Sequence, residues 1–403
     1  MSRLDELIQE LCPNGVEHKT LSELFNTRNG YTPSKSNQEF WTNGTIPWFR
    51  MEDIRENGRI LSEATQYVSE SAVKGNLFPA NSIIVATSAT IGEHALITVP
   101  SLANQRFTYL MLKDQYKDMF DAKFLYYYCF KLDIYCKECL NQGNFASVDM
   151  KKFAKFEFPL VPLEVQREIV RILDNFTELT AELTAELTAR KKQYEYYRNK
   201  LLSFNKLVGS NVLFKKLREI AEYSHKRINA AAIKKANYVG VDNLLQNRAG
   251  KVESNYVPTK GNLTAYVVDD ILIGNIRPYL KKIWLAYNEG GASGDVLVIH
   301  LTDQSVDVKY LYQVLADDKF FSYNMQFAKG AKMPRGSKQK IMDYIIPIPS
   351  LEEQRRIVSI LDKFDILTTS ISEGLPKEIE LRRKQYEYYR NQLLSFPDNK
   401  ATA

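Results

Sequence analysis

The sequence predicts an α+β protein in which two globular α/β domains are separated by two long antiparallel helices, in a cyclic arrangement with a pseudo-two-fold axis. Three observations lead there. A helical block occurs twice. Each copy follows a block rich in β-branched residues, aromatics and turns. The two globular blocks also share an order of elements while differing in nearly every other residue.

The helical repeat is the firmest of the three, and a repeat outranks local signals in fixing architecture. PLVPLEVQREIVRILDNF, from Pro159, returns as PIPSLEEQRRIVSILDKF from Pro347, an offset of 188 residues. RKKQYEYYRNKLLSF (Arg190–Phe204) returns as RRKQYEYYRNQLLSF (Arg382–Phe396) at an offset of 192. The second copy thus carries four more residues, close to one helical turn or about 6 Å of rise. Leu179, Leu183, Leu187, Tyr194 and Tyr197 in the first copy follow three-and-four spacing, as do Leu367, Ile371, Tyr386 and Tyr389 in the second. Such a narrow apolar stripe suits one long helix lying against another. Pro376, after Gly374, is expected to kink or restart the second helix.

The globular blocks contain strand-like runs such as NSIIVATSATIG, DDILIGNI and DVLVIHL. Each opens on a basic-apolar stretch (His18–Leu21 and Phe214–Leu217). Each then has a strand ending in an acid (Trp48 to Asp53, Tyr238 to Asp242), a second strand (Ser82–Ala86, Asp270–Ile273) and a late helix (Lys123–Leu132, Tyr310–Val314). The expected organisation is a short helix over 1–12, a first globular domain over 13–158 and a first long helix over 159–205. A second globular domain over 206–346, a second long helix over 347–397 and a tail over 398–403 complete it. The opening helix stands where the end of a long helix falls in the repeat, so it is expected to pack beside the end of the second one.

Composition narrows the function classes. The 403 residues carry a net charge of +6, with 44% hydrophobic and 25% charged residues, ordinary for a globular protein. The charge is unevenly placed: Pro13–Glu157 holds 16 Lys+Arg against 16 Asp+Glu, and Asn211–Ile345 holds 20 against 13. Four cysteines, and a start (MSRLDELIQEL) that lacks an export signal's apolar core, lead to the expectation of a cytoplasmic protein.

The alternation of globular block and long helix resembles the specificity (S) subunits of type I restriction-modification systems. The resemblance rests on ILDNFTELTAELTAELTARKKQYEYYRNKLLSF, on PSLEEQRRIVSILDKF with its continuation to LLSF, and on YTPSKSNQEFWTNGTIPWFRMEDI in the first block. The tandem TAEL tetrapeptides (Thr180–Leu183, Thr184–Leu187) look like the spacer repeat of the type IC group. The resemblance implies a non-catalytic, DNA-binding subunit serving defence against foreign DNA. Each globular block would be a target recognition domain reading one half of an asymmetric, bipartite double-stranded site. The helices, coiled-coil-like, would set the spacer and dock two methyltransferase subunits. Those partners would bring S-adenosylmethionine and methylate adenine N6, a reaction that takes the base out of the stack. Motor-nuclease (restriction) subunits would bring ATP and Mg and cut unmodified DNA. No cofactor or metal is expected in this chain, and no membrane.

Within that frame the candidate DNA contacts are polar and basic residues in turns, where cations and flexible backbone approach phosphates and Arg pairs bidentately with guanine. In the second domain FAKGAKMPRGSKQK offers Lys329, Lys332, Arg335 and Lys338, and the turn after ILIGN offers Asn275, Arg277 and Tyr279. In the first, NQGNFASVDMKK offers Asn141, Gln142, Asn144 and Ser147, with Lys35, Arg50, Asn104 and Arg106 as further candidates. A solvated loop or an ordinary strand end is the competing role for each. On the helices Leu and Ile at helical spacing are core first. Tyr194, Tyr196 and Tyr197, with Tyr386, Tyr388 and Tyr389, are too many for one seam, so some should face a partner.

Catalytic alternatives find no support. There is no Asn/Asp-Pro-Pro-Tyr motif, no phosphate loop, and only four scattered histidines. The Cys136-Lys137-Glu138-Cys139 spacing lies in an amphipathic stretch without a second ligand pair. Two other readings compete: a self-sufficient DNA-binding regulator, and a helical scaffold whose globular domains bind proteins. Co-purification with a methyltransferase separates both from the main reading.

Overall fold

The computed structural model describes residues 2–141, 146–204, 212–369 and 373–397. The chain divides into two compact units, Met1–Thr180 with Arg382–Ala403, and Ala181–Leu381. The units do not part at the borders between globular arm and helix. Each takes one arm with a portion of both long helical segments.

The first unit opens with α1 (Arg3–Leu11), started by a reciprocal cap between Ser2 and Asp5. Leu4, Leu7 and Ile8 pack in one cluster with Leu393, Leu394 and Phe396, and the Val16 N–H donates to Pro397 O at 3.0 Å. The opening helix therefore lies against the end of the C-terminal helical stretch, as the repeat predicts. β1 (His18–Thr20), α2 (Leu21–Leu24), β2 (Phe25–Asn29), β3 (Ile46–Phe49), α3 (Met51–Asn57), β4 (Ile60–Leu61) and β5 (Tyr67–Val68) come next. Then come β6 (Ser82–Ala86), β7 (His94–Ile97), β8 (Leu102–Ala103), β9 (Phe107–Leu112), α4 (Ala122–Glu138), α5 (Met150–Phe153) and β10 (Glu157–Pro159), leading into α6 (Leu163–Leu201). A five-stranded sheet runs β2-β9-β6-β7-β4 and a three-stranded one β5-β3-β8; β1 pairs with β10 where the chain enters and leaves the arm.

Every residue of β6 is buried, because both faces of its sheet are covered. Ile83 and Val85 join the cluster containing Phe124, Leu125 and Cys129 of α4, while Ile84 and Ala86 join Trp48, Phe49 and Ala103 on the other side. That alternation is the two-residue period of a strand put to use twice. All four cysteines are buried, Cys129 and Cys136 within the α4 packing.

The second unit repeats the scheme after the late part of α6. Its arm runs β11 (Leu213–Lys216), β12 (Ala221–Tyr223), β13 (Arg227–Asn229), β14 (Tyr238–Val239), β15 (Asn262–Tyr266), β16 (Ile271–Gly274), β17 (Ile283–Leu285), β18 (Gly290–Ala292) and β19 (Val296–Leu301). α7 (Val308–Leu315), α8 (Asp318–Gln326), α9 (Lys338–Ile341) and β20 (Ile345–Ile348) close it. The main sheet is β12-β19-β16-β17, and β11 pairs with β20. In β16, Ile271 and Ile273 pack with Tyr310, Leu311 and Phe320, whereas Leu272 packs with Val239, Trp284 and Val298. Central strand, helix-covered face and strand-covered face all match the first arm. Even the parallel pairing of β3 with β8 returns as β14 with β18. The arms differ at the edges. Among the described residues β4 flanks β7 with no counterpart on β17, and the small sheet extends from β3 to β5 in one arm but from β18 to β15 and β13 in the other.

A buried glutamine ties each arm to its helix. Gln166 accepts from the Asp121 N–H (2.8 Å) and donates to Met119 O (2.8 Å) and Val161 O (2.6 Å). Gln354, 188 residues later, accepts from the Asp307 N–H (2.8 Å) and donates to Ser305 O (3.0 Å) and Pro349 O (2.8 Å). Both side chains are fully buried. Gln354→Leu strands one backbone donor and two acceptors, so it should lower stability by roughly 1–3 kcal/mol, read as a shift of the denaturation midpoint. A midpoint unchanged from wild type would remove the glutamine's role as a clip.

The long helices behave as their spacing requires. α6 is continuous over 39 residues. Its counterpart is α10 (Leu351–Thr369) and then α11 (Gly374–Leu393), with Pro376 in the first turn of α11, so the second helix does restart there. Within the first unit Phe176 of α6 stacks on Tyr389 of α11 at 5.5 Å. Within the second, Tyr194 and Tyr197 of α6 each stack on Phe364 of α10 at 5.7 Å. Early α6 thus meets late α11 and late α6 meets α10, the pairing order of antiparallel helices. Among the described residues no helix is long and apolar enough to cross a membrane.

Candidate nucleic-acid interface

In the first arm four loops are laced together at the end of β6. The Tyr31 N–H donates to Ala103 O (2.7 Å) and the Asn104 N–H to Phe49 O (3.0 Å), which joins the loop after β2, the corner after β3 and the turn after β8. The Thr32 hydroxyl also reaches Gln105. The Thr87 N–H donates to Arg106 O (3.0 Å), the Val148 N–H to Thr87 O (2.9 Å) and the Asn141 N–H to Ser147 O (2.9 Å). These bonds gather Asn104, Arg106, Asn141 and Ser147 on one rim; Lys35 is exposed in the loop after β2. Asn104 Oδ1 accepts from the Arg106 N–H (3.0 Å), fixing that turn while the Arg106 side chain stays exposed. Arg50 is differently employed. Its guanidinium donates to Thr65 Oγ1 (2.9 Å) and lies over Trp48, holding the start of α3. Gln142 and Asn144 lie outside the described residues.

The second arm builds the same rim at the end of β16. The Asn275 N–H donates to Asp295 O (2.8 Å), the Gly336 N–H to Asn275 O (3.1 Å) and the Arg277 N–H to Pro334 O (2.7 Å). Lys329 and Arg335 exchange both backbone hydrogen bonds, at 2.9 and 2.8 Å. Asn275, Arg277, Lys329 and Arg335 are therefore brought together, and Lys332 stands exposed at the tip of the same loop. Lys338 is exposed at the first position of α9, behind the Ser337 cap. Tyr279 is 49% exposed, beside the left-handed Arg277. The glycines of this loop are specified by geometry: Gly330 has φ +106°, and a side chain at Gly336 would run into Asn275 and Asn324.

Asn275 itself is only 6% exposed, so its main chain, not its amide, organises the rim. A groove of 460 Å³ beside it is lined by Asp242, Arg277, Lys282, Asp295 and Met333. Burial holds the Lys282 ammonium below the ordinary lysine range; Asp242 opposes the shift and Arg277 adds to it. A larger cavity, 720 Å³, lined by Asp114, Lys117, Leu163 and Arg167, shares no residue with either rim.

Of the helix positions, Leu179, Leu183, Leu187, Leu367 and Tyr386 are half-buried and Tyr194 is buried; Ile371 lies outside the described residues. Tyr197 and Tyr389 are partly spent on Phe364 and Phe176, whereas Tyr196 and Tyr388 are each 61% exposed, at equivalent repeat positions. Four functional or structural residues escape a reading of the sequence: Gln166, Gln354, Arg198 and Asp295. The glutamines and Arg198 left a signal, the same residue repeated at offsets of 188 and 192 residues; Asp295 left none.

The family model described as the type I restriction modification DNA specificity domain matches residues 13–190 and 209–381. The chain is similar to the type I restriction enzyme EcoprrI specificity subunit of Escherichia coli, 44% identical over 93% of each chain. Among solved structures it resembles the S subunit of a type I restriction-modification system from M. genitalium, with TM-score 0.53, 17% identity and 96% and 97% coverage. It also resembles a chain from a structure titled for the complex assembly and conformational transition of the type I R-M system. There the TM-score is 0.60, at 14% identity and 95% and 98% coverage.

Proposed function

The chain belongs to the type I restriction-modification DNA specificity family, and from that premise we propose that each arm reads one half of an asymmetric bipartite DNA site. As a specificity subunit the chain is the non-catalytic, DNA-recognition part of its system. One observation carries the finer reading. The same hydrogen-bonded rim is built twice, on the same central strand and the same short helix, with different side chains on it. Identical rims would favour a palindrome; unlike rims on a repeated fold favour unlike half-sites. Lys329, Lys332 and Lys338 would hold phosphates, and the exposed side chains among the remaining rim residues would meet base edges.

The helical segments would set the distance between half-sites and offer Tyr196 and Tyr388 to two methyltransferase subunits. Paired exposed tyrosines at equivalent positions of a repeat suit two copies of one partner. Those subunits would use S-adenosylmethionine to methylate adenine N6. Restriction subunits would use ATP and Mg to cleave unmodified DNA, and this chain would hold no cofactor. The tandem TAEL segment supports a type IC-like spacer.

The test is co-production with the methyltransferase subunit, and then mapping of methylated adenines across a host genome. One split motif with an adenine methylated in each half is expected. Methylation of a continuous motif, or a chain that assembles with no methyltransferase, would sink the reading. Within it, Lys332→Ala should weaken binding of all duplexes alike and lower the slope of log affinity against log salt by about one. Filter or fluorescence binding at several salt concentrations checks this, and an unchanged slope would remove Lys332 from the phosphate contacts.

A further inference from the structure

The hydrogen-bond patterns of the two rims pair their residues one by one. Arg106 O accepts the Thr87 N–H at the end of β6, and Asp295 O accepts the Asn275 N–H at the end of β16. Val148 N–H returns to Thr87, and Gly336 N–H returns to Asn275. The upstream turns agree too: the Asn104 N–H binds Phe49 O as the Ser293 N–H binds Val239 O. Hence Arg106 occupies the place of Asp295, and Ser147, bridged to Ser88, occupies the place of Arg335, bridged to Ile276. The main chain is the same in both arms, and the charged side chains on it differ. One arm presents its arginine from the turn before β9; the other presents an acid there and its arginine from the opposite loop.

Resting on the function proposed above, we propose that this position pair is the base-reading element of each arm, and that Arg335, positioned by Asp295, reads a guanine. Arg335 is held from three sides: its backbone bridges both Lys329 and Ile276, and Asp295 Oδ1 accepts from Nε (3.3 Å) and lies 3.2 Å from Nη2. A guanidinium has five N–H groups in a fixed fork. With the Nε–Nη2 edge committed to the carboxylate, the Nη1–Nη2 edge remains for O6 and N7 of a guanine. Asp295 also decides which part of DNA is met. A carboxylate beside the arginine repels a phosphate and leaves a base edge as the compatible acceptor. In the first arm a serine, Ser147, stands at the opposite position, and the Arg106 turn is fixed through Asn104 at its main chain.

The experiment uses the assembled complex of this chain with its methyltransferase subunits, and selects bound duplexes from a randomised pool. Arg335→Ala should reduce the preference for one G·C pair in one half-site by about tenfold or more, leaving the other half-site and the spacer unchanged. Arg335→Lys, which keeps charge but loses the fork, should do the same. Arg106→Ala should relax a position only in the other half-site. Asp295→Asn should blunt the guanine preference without weakening binding to random duplex, a result that a merely structural role would not produce. If Arg335→Ala and Arg335→Lys select the wild-type motif at every position, the assignment is overturned although the functional reading stands. If wild type selects no split motif, the functional reading falls and the assignment falls with it.

Discussion

Arg198→Ala should destabilise the second unit by about 3–5 kcal/mol, the cost of removing one partner from a buried ion pair. Arg198 is 4% exposed and Asp317 3%. Its guanidinium lies 3.6 Å from Asp317, donates to the Tyr194 hydroxyl at 2.8 Å, and reaches both the amide and the main-chain carbonyl of Gln313. Asp317 in turn caps α8 by accepting from the Lys319 N–H. Truncating the arginine therefore leaves a desolvated carboxylate, an amide oxygen and a carbonyl around one cavity without the guanidinium that served all three.

The repeat supplies an internal control. Arg390, 192 residues later, lies 4.1 Å over the ring of Phe130 and 5.4 Å over that of Tyr386. Its replacement by alanine loses cation–π attraction and stem packing, about 1–2 kcal/mol. Denaturant unfolding of both variants, monitored by two independent probes so that separate transitions of the units are seen, should rank them clearly. Equal losses for the two would mean that the Arg198–Asp317 pair contributes no more than packing.

How much of this was legible before the fold was known differs by element. The duplication was plain because long helices repeat their contacts at fixed offsets, so Phe176 and Phe364, or Tyr389 and Tyr197, find equivalent partners. β6 and β16 were legible because a strand buried on both faces must be a continuous apolar run. The small strands were not, since two or three residues carry no period. Site residues fared according to what the sequence encodes. Clustered cations and glycines marked the loop from Lys329 to Lys338, but polarity alone cannot say which way a side chain points. Asn275 thus turned out buried and Arg50 employed on Thr65 and Trp48. Asp295 left no trace, because its meaning lies in a contact with a residue 40 positions away.

On the proposed function, deleting Thr180–Leu183, or inserting one more TAEL after Leu187, should change the preferred spacer by about one base pair and leave both half-sites as they were. Four residues lengthen or shorten α6 by about 6 Å and rotate the remainder of the helix by about 40°. The rise alone is nearer two base-pair steps than one, and the rotation, which the duplex must also match, brings the net change towards one. The segment tolerates the edit for local reasons. Leu179, Leu183 and Leu187 are half-buried at every fourth position, so a whole tetrapeptide restores the stripe. The threonine hydroxyls are satisfied within the helix, Thr180 on Phe176 O at 2.8 Å and Thr188 on Thr184 O at 3.0 Å. An insertion of two residues would instead turn the stripe by about 200° and should abolish assembly rather than shift the spacer. For the tetrapeptide variants, binding to the original site should fall by about a thousandfold, towards the non-specific level, while a site with the adjusted spacer regains wild-type affinity. A length variant that still prefers the original spacing would mean that α6 does not measure the distance, however regular its repeats.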